Sequence, residues 1–277
     1  MDARLSQRSQ TRRLVLLAPS TGDIKESSLA IEENSTQYAR LLADMQRMRG
    51  RIYLEDGAIQ ESQLSLDGRH QLETDRQSWH LLLADESNRV LGCMRYVSHN
   101  NSVPFGRLGL SSSAIAQCDL WGAKLKKGIR SELAKAREDG SGFAEVGGWA
   151  LENELRCSME ALRMVLATYA LSQVLGDARG VSTATTRNGS ASILRRIGGS
   201  SVFADGVELP KYFDPHYNCE MELLRFDCAW LNPRYAVWVE QLRAELFAAP
   251  VYAASSVTRQ HSLFLHELST TRAGKTF

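Results

Sequence analysis

The chain has 277 residues, with 33 Lys and Arg against 32 Asp and Glu, and is 43% hydrophobic, 23% charged and 8% aromatic. This is the composition of a folded globular protein of one or two domains, and a net charge near zero excludes recruitment of nucleic acid or an anionic membrane by a global field. No apolar stretch approaches the roughly 18–20 residues of a membrane span, and the run Leu14–Ala18 is too short for a signal-peptide core.

Residues 1–34 are polar around that one apolar run and read as a loosely held extension. Ser35-Thr36-Gln37 opens a helix whose Tyr38, Leu41, Leu42, Met45 and Met48 form one apolar face and which weakens at Gly50. Ile52-Tyr53-Leu54 reads as a short strand, followed by a polar connection through Arg76. Trp79–Ala84 and Arg89–Val97 flank a turn and predict a hairpin. Residues 98–120 form a loop, and Leu120–Glu138 a helix carrying Lys124, Lys126, Lys127, Arg130, Lys135 and Arg137. Phe143–Leu151 is a strand, Glu152–Leu175 a long helix ended by Gly176, and Val181–Thr186 a strand. Ser190–Ile197 is a short helix closed by Gly198-Gly199, and Cys219–Phe226 is the last core strand. Asn232-Pro233 begins a helix reaching about Phe247, with Pro233 suited to its first turn. Residues 253–277 are polar and peripheral. The predicted class is α/β, one mixed sheet flanked by helices, divided into an extension (1–34), a core domain (36–230) and a C-terminal helix and tail (231–277).

The five cysteines are scattered without a CxxC pair, which fits reduced thiols in a cytoplasmic protein; Cys157, at the start of the long helix, is the one thiol to test as a relay. The six His show no ligand spacing, so no metal site is expected. Two glycines inside a strand, Gly147 and Gly148, mark either a simple bulge or a place where the backbone splays or is approached closely.

Val181–Gly199 (VSTATTRNGSASILRRIGG) follows the outline of the end of the GNAT acyltransferase core, with Asn188, Ala191 and Gly198 at matching places; the same residues also fit an ordinary strand–helix unit. Leu194 stands where many members of that superfamily carry a tyrosine that protonates the leaving thiolate. The pyrophosphate-gripping loop is matched at Arg156 and Ala161, with Ser158 between them, but Met159 replaces its central glycine, and Glu152 and Glu154 would repel phosphate. This favours a donor with a single phosphodiester, acyl-phosphopantetheine on acyl carrier protein, over acyl-CoA.

Residues 49–151 resemble acyl-homoserine lactone synthases and their relatives, the long-chain N-acyl amino acid synthases. Arg49-Gly50-Arg51-Ile52-Tyr53 matches an R-x-x-x-F motif with Tyr53 for Phe, Asp75 matches an acid before the hairpin, Gly92-Cys93-Met94-Arg95 matches G-x-x-R, and Glu145 opens E-x-S-R-F with Trp149 at the aromatic position. The Arg of that last motif is Gly148, and Leu72 replaces the second acid of a pair, so groups that help define the lactone site are missing. The resemblance therefore implies a GNAT fold, no permanent cofactor, and transfer of a long-chain acyl group from acyl carrier protein to the α-amine of an amino acid or similar small amine by direct attack. Acetyl-CoA-dependent acetylation, lactone synthesis and a catalytically dead binding module remain the alternatives.

The resemblance also suggests roles. Glu145 would accept the ammonium proton, its pKa raised by burial, or else pair structurally with Arg95. Arg95 would hold the acceptor carboxylate, Asp75 would orient Arg49, and Tyr53 would complete the acceptor side. The basic helix, through Lys124, Lys126, Lys127 and Arg130, would dock an acidic carrier protein or simply present a solvated face.

Overall fold

A computed structural model describes residues 12–21, 29–156, 158–227 and 231–255. In chain order its elements are β1 (Arg13–Leu17), β2 (Ile31–Glu33), α1 (Ser35–Glu55), β3 (Trp79–Ala84), β4 (Val90–His99), α2 (Gly122–Glu138), β5 (Gly142–Leu151), α3 (Met159–Val174), β6 (Ala178–Thr185), α4 (Ser190–Ile197), β7 (Ser200–Ser201), β8 (Phe203–Ala204), β9 (Val207–Glu208), β10 (Tyr212–Asp214), β11 (Cys219–Phe226), α5 (Ala236–Ala248) and β12 (Val251–Ala253).

The main sheet runs β10-β11-β6-β5-β4-β3-β1-β12-β2, with the short β7 added to β11. It is mixed: β3, β4 and β5 are antiparallel neighbours, whereas β5 and β6 are parallel and connected through α3. Alternation along each strand assigns two faces. On one, Val15, Leu17, Leu82 and Cys93 pack beneath α1, and Phe143, Val181 and Leu223 beneath α2. On the other, Leu14, Leu16, Leu81, Leu83, Tyr96 and Ala144 pack against α3, α4 and α5.

Three expectations are corrected. The apolar run in the N-terminal segment is not loosely held: β1 lies between β3 and β12, and Leu14–Leu17 are all buried. A strand covered on both faces reads as an unbroken apolar run rather than an alternating one, which explains LVLL. The C-terminal tail is not peripheral at its first residue, since Ala253 ends β12 (Val251–Ala253), which enters the sheet beside β1 and pairs with β2. Finally, no strand forms at Ile52–Leu54, because α1 continues to Glu55 and buried Ile52 extends the period of Leu41, Met45 and Met48. Gly50 does not end the helix. It admits the 64–70 loop, since a Cβ there would meet Leu64 Cδ2 at 2.9 Å and the Gly68 carbonyl at 3.0 Å. The long helix starts later than expected, at Met159 after a turn of 3-10 helix.

Among the described residues, no helix is long and apolar enough to cross a membrane.

Candidate active site

The β5–β6 ladder ends at Val146 opposite Ser182, after which the two strands part. On the other edge of β5, the register with β4 shifts between Cys93 and Arg95, and Gly148 takes a left-handed φ of 62°. A side chain at that φ would be strained, which accounts for glycine there. Beyond Val146, the N–H groups of β5 that point away from β4 have no strand partner among the described residues.

A cleft of about 560 Å³ opens over this gap, on the sheet face shared by α1 and α2. Arg95, Glu145, Gly148 and Trp149 line its floor, and Tyr53, Tyr212, His216 and Tyr217 line an aromatic side. Tyr217 stacks edge-on against both Tyr53 and His216, with centroids at 6.4 and 4.9 Å. Burial pushes the Tyr53 and Tyr217 hydroxyls up from their ordinary pKa, so both remain neutral donors.

The four motif residues Arg49, Asp75, Arg95 and Glu145 do gather near the cleft, but into three separate arrangements. Arg49 and Asp75 form a closed ion pair beneath the floor, 0% and 2% exposed, with Arg49 Nη1 and Nη2 donating to Asp75 at 3.0 and 2.8 Å. Gln46 Nε2 and the Leu72 amide also donate to Asp75, and Arg49 Nη2 reaches the His70 carbonyl at 2.5 Å. Burial alone would raise the Asp75 carboxyl; the Arg49 bonds and charge outweigh it and leave its pKa at about 2. His80, fully buried with Nε2 at 2.9 Å from the Asp75 carbonyl, has its pKa pushed down to about 4 by desolvation.

Glu145 is also closed, but by backbone. Its Oε1 accepts from Leu110 N at 2.8 Å, and its Oε2 from Gly109 N at 2.9 Å and His99 Nε2 at 3.0 Å. Burial tends to raise this carboxyl, yet these three donors lower it below its ordinary value. That corrects the expectation of a raised pKa. The expected Glu145–Arg95 pair is also replaced, because the Arg95 guanidinium instead donates from Nη1 to Thr74 Oγ1 at 2.6 Å.

Arg95 is the open member. Its Nε is buried without a hydrogen-bond partner, as are Trp149 Nε1 and Tyr212 Oη, all three on cleft-lining residues. Tyr53 Oη donates to the Trp149 carbonyl at 3.3 Å, tying α1 to the bulged strand, and Cys93 Sγ donates to the Gly148 carbonyl at 3.2 Å.

The residues expected to grip the donor are engaged elsewhere. Arg156 makes a two-point contact with Asp56, both distances 2.7 Å, and Ser158 caps α3 by accepting from Glu160 N at 3.1 Å. Cys157 lies outside the described residues. On α2, Lys124 covers the Trp121 ring at 4.4 Å and Lys127 pairs with Asp205 at 2.5 Å, while Lys126 and Arg130 face solvent. Leu194 is buried and lines the cleft, so the tyrosine position of the superfamily is apolar here.

Sequence reading missed Thr74, His99 and the Gly109–Leu110 turn. His99 had a usable signal: Arg95, Val97 and His99 alternate on one face of β4, and Val97 lies opposite Glu145. Thr74 and the turn sit in irregular segments with no periodic signature.

No protein-family model matches this chain, and no curated protein sequence does. Solved structures do. A CoA-dependent acyl-homoserine lactone synthase, BjaI, with MTA superposes with a TM-score of 0.52 at 16% identity, covering 90% of this chain and 95% of that one. TofI, in a ternary complex with an inhibitor and MTA, gives 0.51 at 13% identity over 84% and 99%. FeeM, an N-acyl amino acid synthase from uncultured soil microbes, gives 0.48 at 14% identity over 79% and 93%. The fold is shared. This chain has the mixed α/β architecture of BjaI and TofI, in keeping with the fold class that the sequence implied.

Proposed function

We propose that this chain is an N-acyltransferase that moves an acyl group from a phosphopantetheine thioester to the amine of an amino acid or similar small amine. The observation that carries this reading is the half-buried Arg95 guanidinium, which lines the cleft beside the parted strands and has only a neutral side-chain bond, to Thr74. An acceptor carboxylate would meet the part of the guanidinium that the cleft exposes, in a charge-assisted contact. Tyr53 and Tyr217 supply an apolar wall.

With the carboxylate held there, the acceptor amine lies over the gap where the thioester enters. The ammonium first loses a proton to solvent in the cleft. Its nitrogen then attacks the carbonyl carbon, forming the C–N bond and a tetrahedral oxyanion; collapse of that intermediate restores the carbonyl and breaks the C–S bond, and a second proton from the nitrogen ends on the departing sulfur. The tetrahedral oxyanion is stabilised by β5 N–H groups that lack a strand partner past Val146. Glu145 serves as a positioning residue that fixes the 109–110 turn at the cleft rim rather than as the base, since three donors hold its carboxylate and keep its pKa below the ordinary value. Leu194 offers no proton to the thiolate; this suits a thiol, which departs far more readily than an alkoxide. Among carriers, an acyl carrier protein fits Lys126 and Arg130 on α2, whose exposed charges complement an acidic helix. Acyl-CoA is the second reading, favoured because BjaI is itself described as CoA-dependent.

The test is to incubate purified protein with acyl carrier protein and CoA thioesters and a pool of amino acids, following thiol release and N-acyl products by mass spectrometry. Equimolar thiol and N-acyl amino acid is the expected result. Thiol release without an acylated amine would point to a thioesterase and count against the proposal.

A further inference from the structure

Arg95 is one of two charged side chains that line the cleft without a counter-ion among the described residues and lie mostly out of solvent; the other is Asp214. Asp214 ends β10, and in the strand order the gap between β5 and β6 lies between it and Arg95. It is 6% exposed. Its Oδ1 accepts from His216 N at 2.9 Å, and among the described residues its other oxygen has no hydrogen bond and no cation pairs with it.

The remaining charges of the cleft are accounted for. Three donors hold Glu145, Arg156 holds Asp56 in a two-point contact, and Glu73 is exposed. Arg187, the second arginine in the lining, donates to the backbone carbonyls of Asp56 and Asn218. The turn after β10 needs only one acceptor oxygen at position 214, which an asparagine would supply without a charge. A buried carboxylate without a cation is costly, so its charge calls for a partner that the cleft admits. The surroundings suit one. Tyr53, Tyr212, His216 and Tyr217 line this side of the cleft. Burial raises the Tyr212 and Tyr217 hydroxyls and the Asp214 charge adds to it, while the Arg95 charge pulls Tyr217 the other way. Tyr217 therefore stands within reach of both unpaired charges.

We propose that Asp214 is a specificity-determining residue that selects an acceptor with a second, cationic group, and that the preferred acceptors are free basic amino acids such as lysine and arginine. The proposal rests on the acyl-transfer reading: the acceptor carboxylate meets Arg95, its α-amine lies at the gap, and its side-chain cation meets Asp214. The sheet calls for a long side chain, because β10 lies two strands beyond β6, about 10 Å at the spacing of neighbouring strands. A methylene stem packs along the tyrosine rings, and an ammonium or guanidinium over a ring face gains further attraction. A neutral side chain would leave Asp214 desolvated and unpaired, which is how a buried polar group rejects the wrong substrate.

The experiment compares acceptors matched in shape but not in charge, lysine with norleucine and arginine with citrulline. Binding to the intact protein is measured by calorimetry without donor, and kcat/KM with CoA and acyl carrier protein thioesters, the acylated nitrogen being located by mass spectrometry. The charged member of each pair should be favoured about tenfold or more in both measurements, with the acyl group on the α-nitrogen. Asp214→Asn keeps the oxygen that accepts from His216 N and should reduce each ratio to about threefold or less. No preference in either pair, a preference unchanged in a folded Asp214→Asn variant, or acylation of the side-chain nitrogen would overturn the proposal. If that variant does not fold, the two pairs on the unaltered protein decide. Charge-selective binding without an acylated product from any donor would keep the Asp214 subsite and remove the transferase reading. Equal acylation of charged and neutral acceptors would do the reverse, and no binding with no product would remove both.

Discussion

Arg49 and Arg95 were drawn from the same motif pattern, and both lie against the bulged strand; a Cβ on Gly148 would be 3.6 Å from Arg49 Nη1 and 3.1 Å from Arg95 Cβ. Their surroundings differ completely. Arg49 is fully buried and its charge is met by Asp75 within a closed block that also holds Gln46, His70 and His80. Arg95 lines the cleft and makes one neutral bond, to Thr74, while its Nε has no partner. On the proposed reading the difference separates scaffold from site: the buried charge with an internal partner fixes the floor, and the cleft-lining one is left to meet an anionic group of a ligand. Glu145 sits with the scaffold, despite lining the cleft, because two backbone donors and His99 hold it.

The largest effect should come from opening the closed block. Arg49→Met leaves Asp75 buried without its cation and should cost about 3–5 kcal/mol of unfolding free energy by urea titration. The double variant Arg49→Met/Asp75→Leu should cost less than Arg49→Met alone, because no unpaired charge remains.

Next in size is the pH response of the same block. His80 has a folded pKa of about 4, below its unfolded value of about 6.5, so the unfolded chain binds the proton first as pH falls. Its contribution is complete above about pH 6.5 and is lost progressively down to about pH 4, roughly 3 kcal/mol in all. His70, also held at about 4, adds a slope of the same sign. Unfolding measured from pH 7 to 4.5 should show this loss, and His80→Gln should flatten it. An unchanged slope in the variant would remove His80 from the closed block's acid sensitivity.

On the open side, Arg95→Ala should lower kcat/KM for the acceptor about 100-fold, near 2.7 kcal/mol, while changing stability by less than about 1 kcal/mol. Arg95→Lys should restore little, since an ammonium cannot make the planar contact of a guanidinium. A large loss of stability in Arg95→Ala would instead place Arg95 with Arg49.

The smallest and most discriminating effect is Glu145→Gln. The amide presents an N–H group to a site built of donors, so the expected cost is about 1–2 kcal/mol of stability, seen as a fall in Tm of about 3–6 °C. The rate should fall less than tenfold. Because the folded carboxyl lies below its ordinary pKa, Glu145 stabilises the fold above the ordinary carboxylate range and loses that contribution as pH drops through its lowered value; the variant should lack this acid arm. A loss of a thousandfold or more in rate with unchanged Tm would restore Glu145 as the base.

Much of this molecule was legible in the amino-acid order. The hairpin, the basic helix, the glycine-bearing strand, the short helix and β11 all follow from periodicity and turn residues, because each is specified by local pattern. Of the motif positions, Tyr53, Arg95, Glu145, Gly148 and Trp149 line one cleft, whereas Arg49 and Asp75 form a closed pair outside its lining. Errors arose where a local signal has two meanings. LVLL is consistent with a tail or with a strand buried on both faces, and Gly50 with a helix stop or with close approach of a loop.

The sequence by itself determined the helices and central strands, the mixed α/β class and the set of charged residues that meet near the middle of the sheet. Only the tertiary structure decided which of those charges are closed and which is open. That depends on segments with no periodic signature, such as Thr74 and the Gly109–Leu110 turn, being carried against the sheet by the packing of α1 and α2. A side chain's chemistry is written in its residue type, but its availability is set by the neighbours that folding brings to it, and for Glu145 and Arg95 those neighbours lie 21 to 46 residues away in the chain.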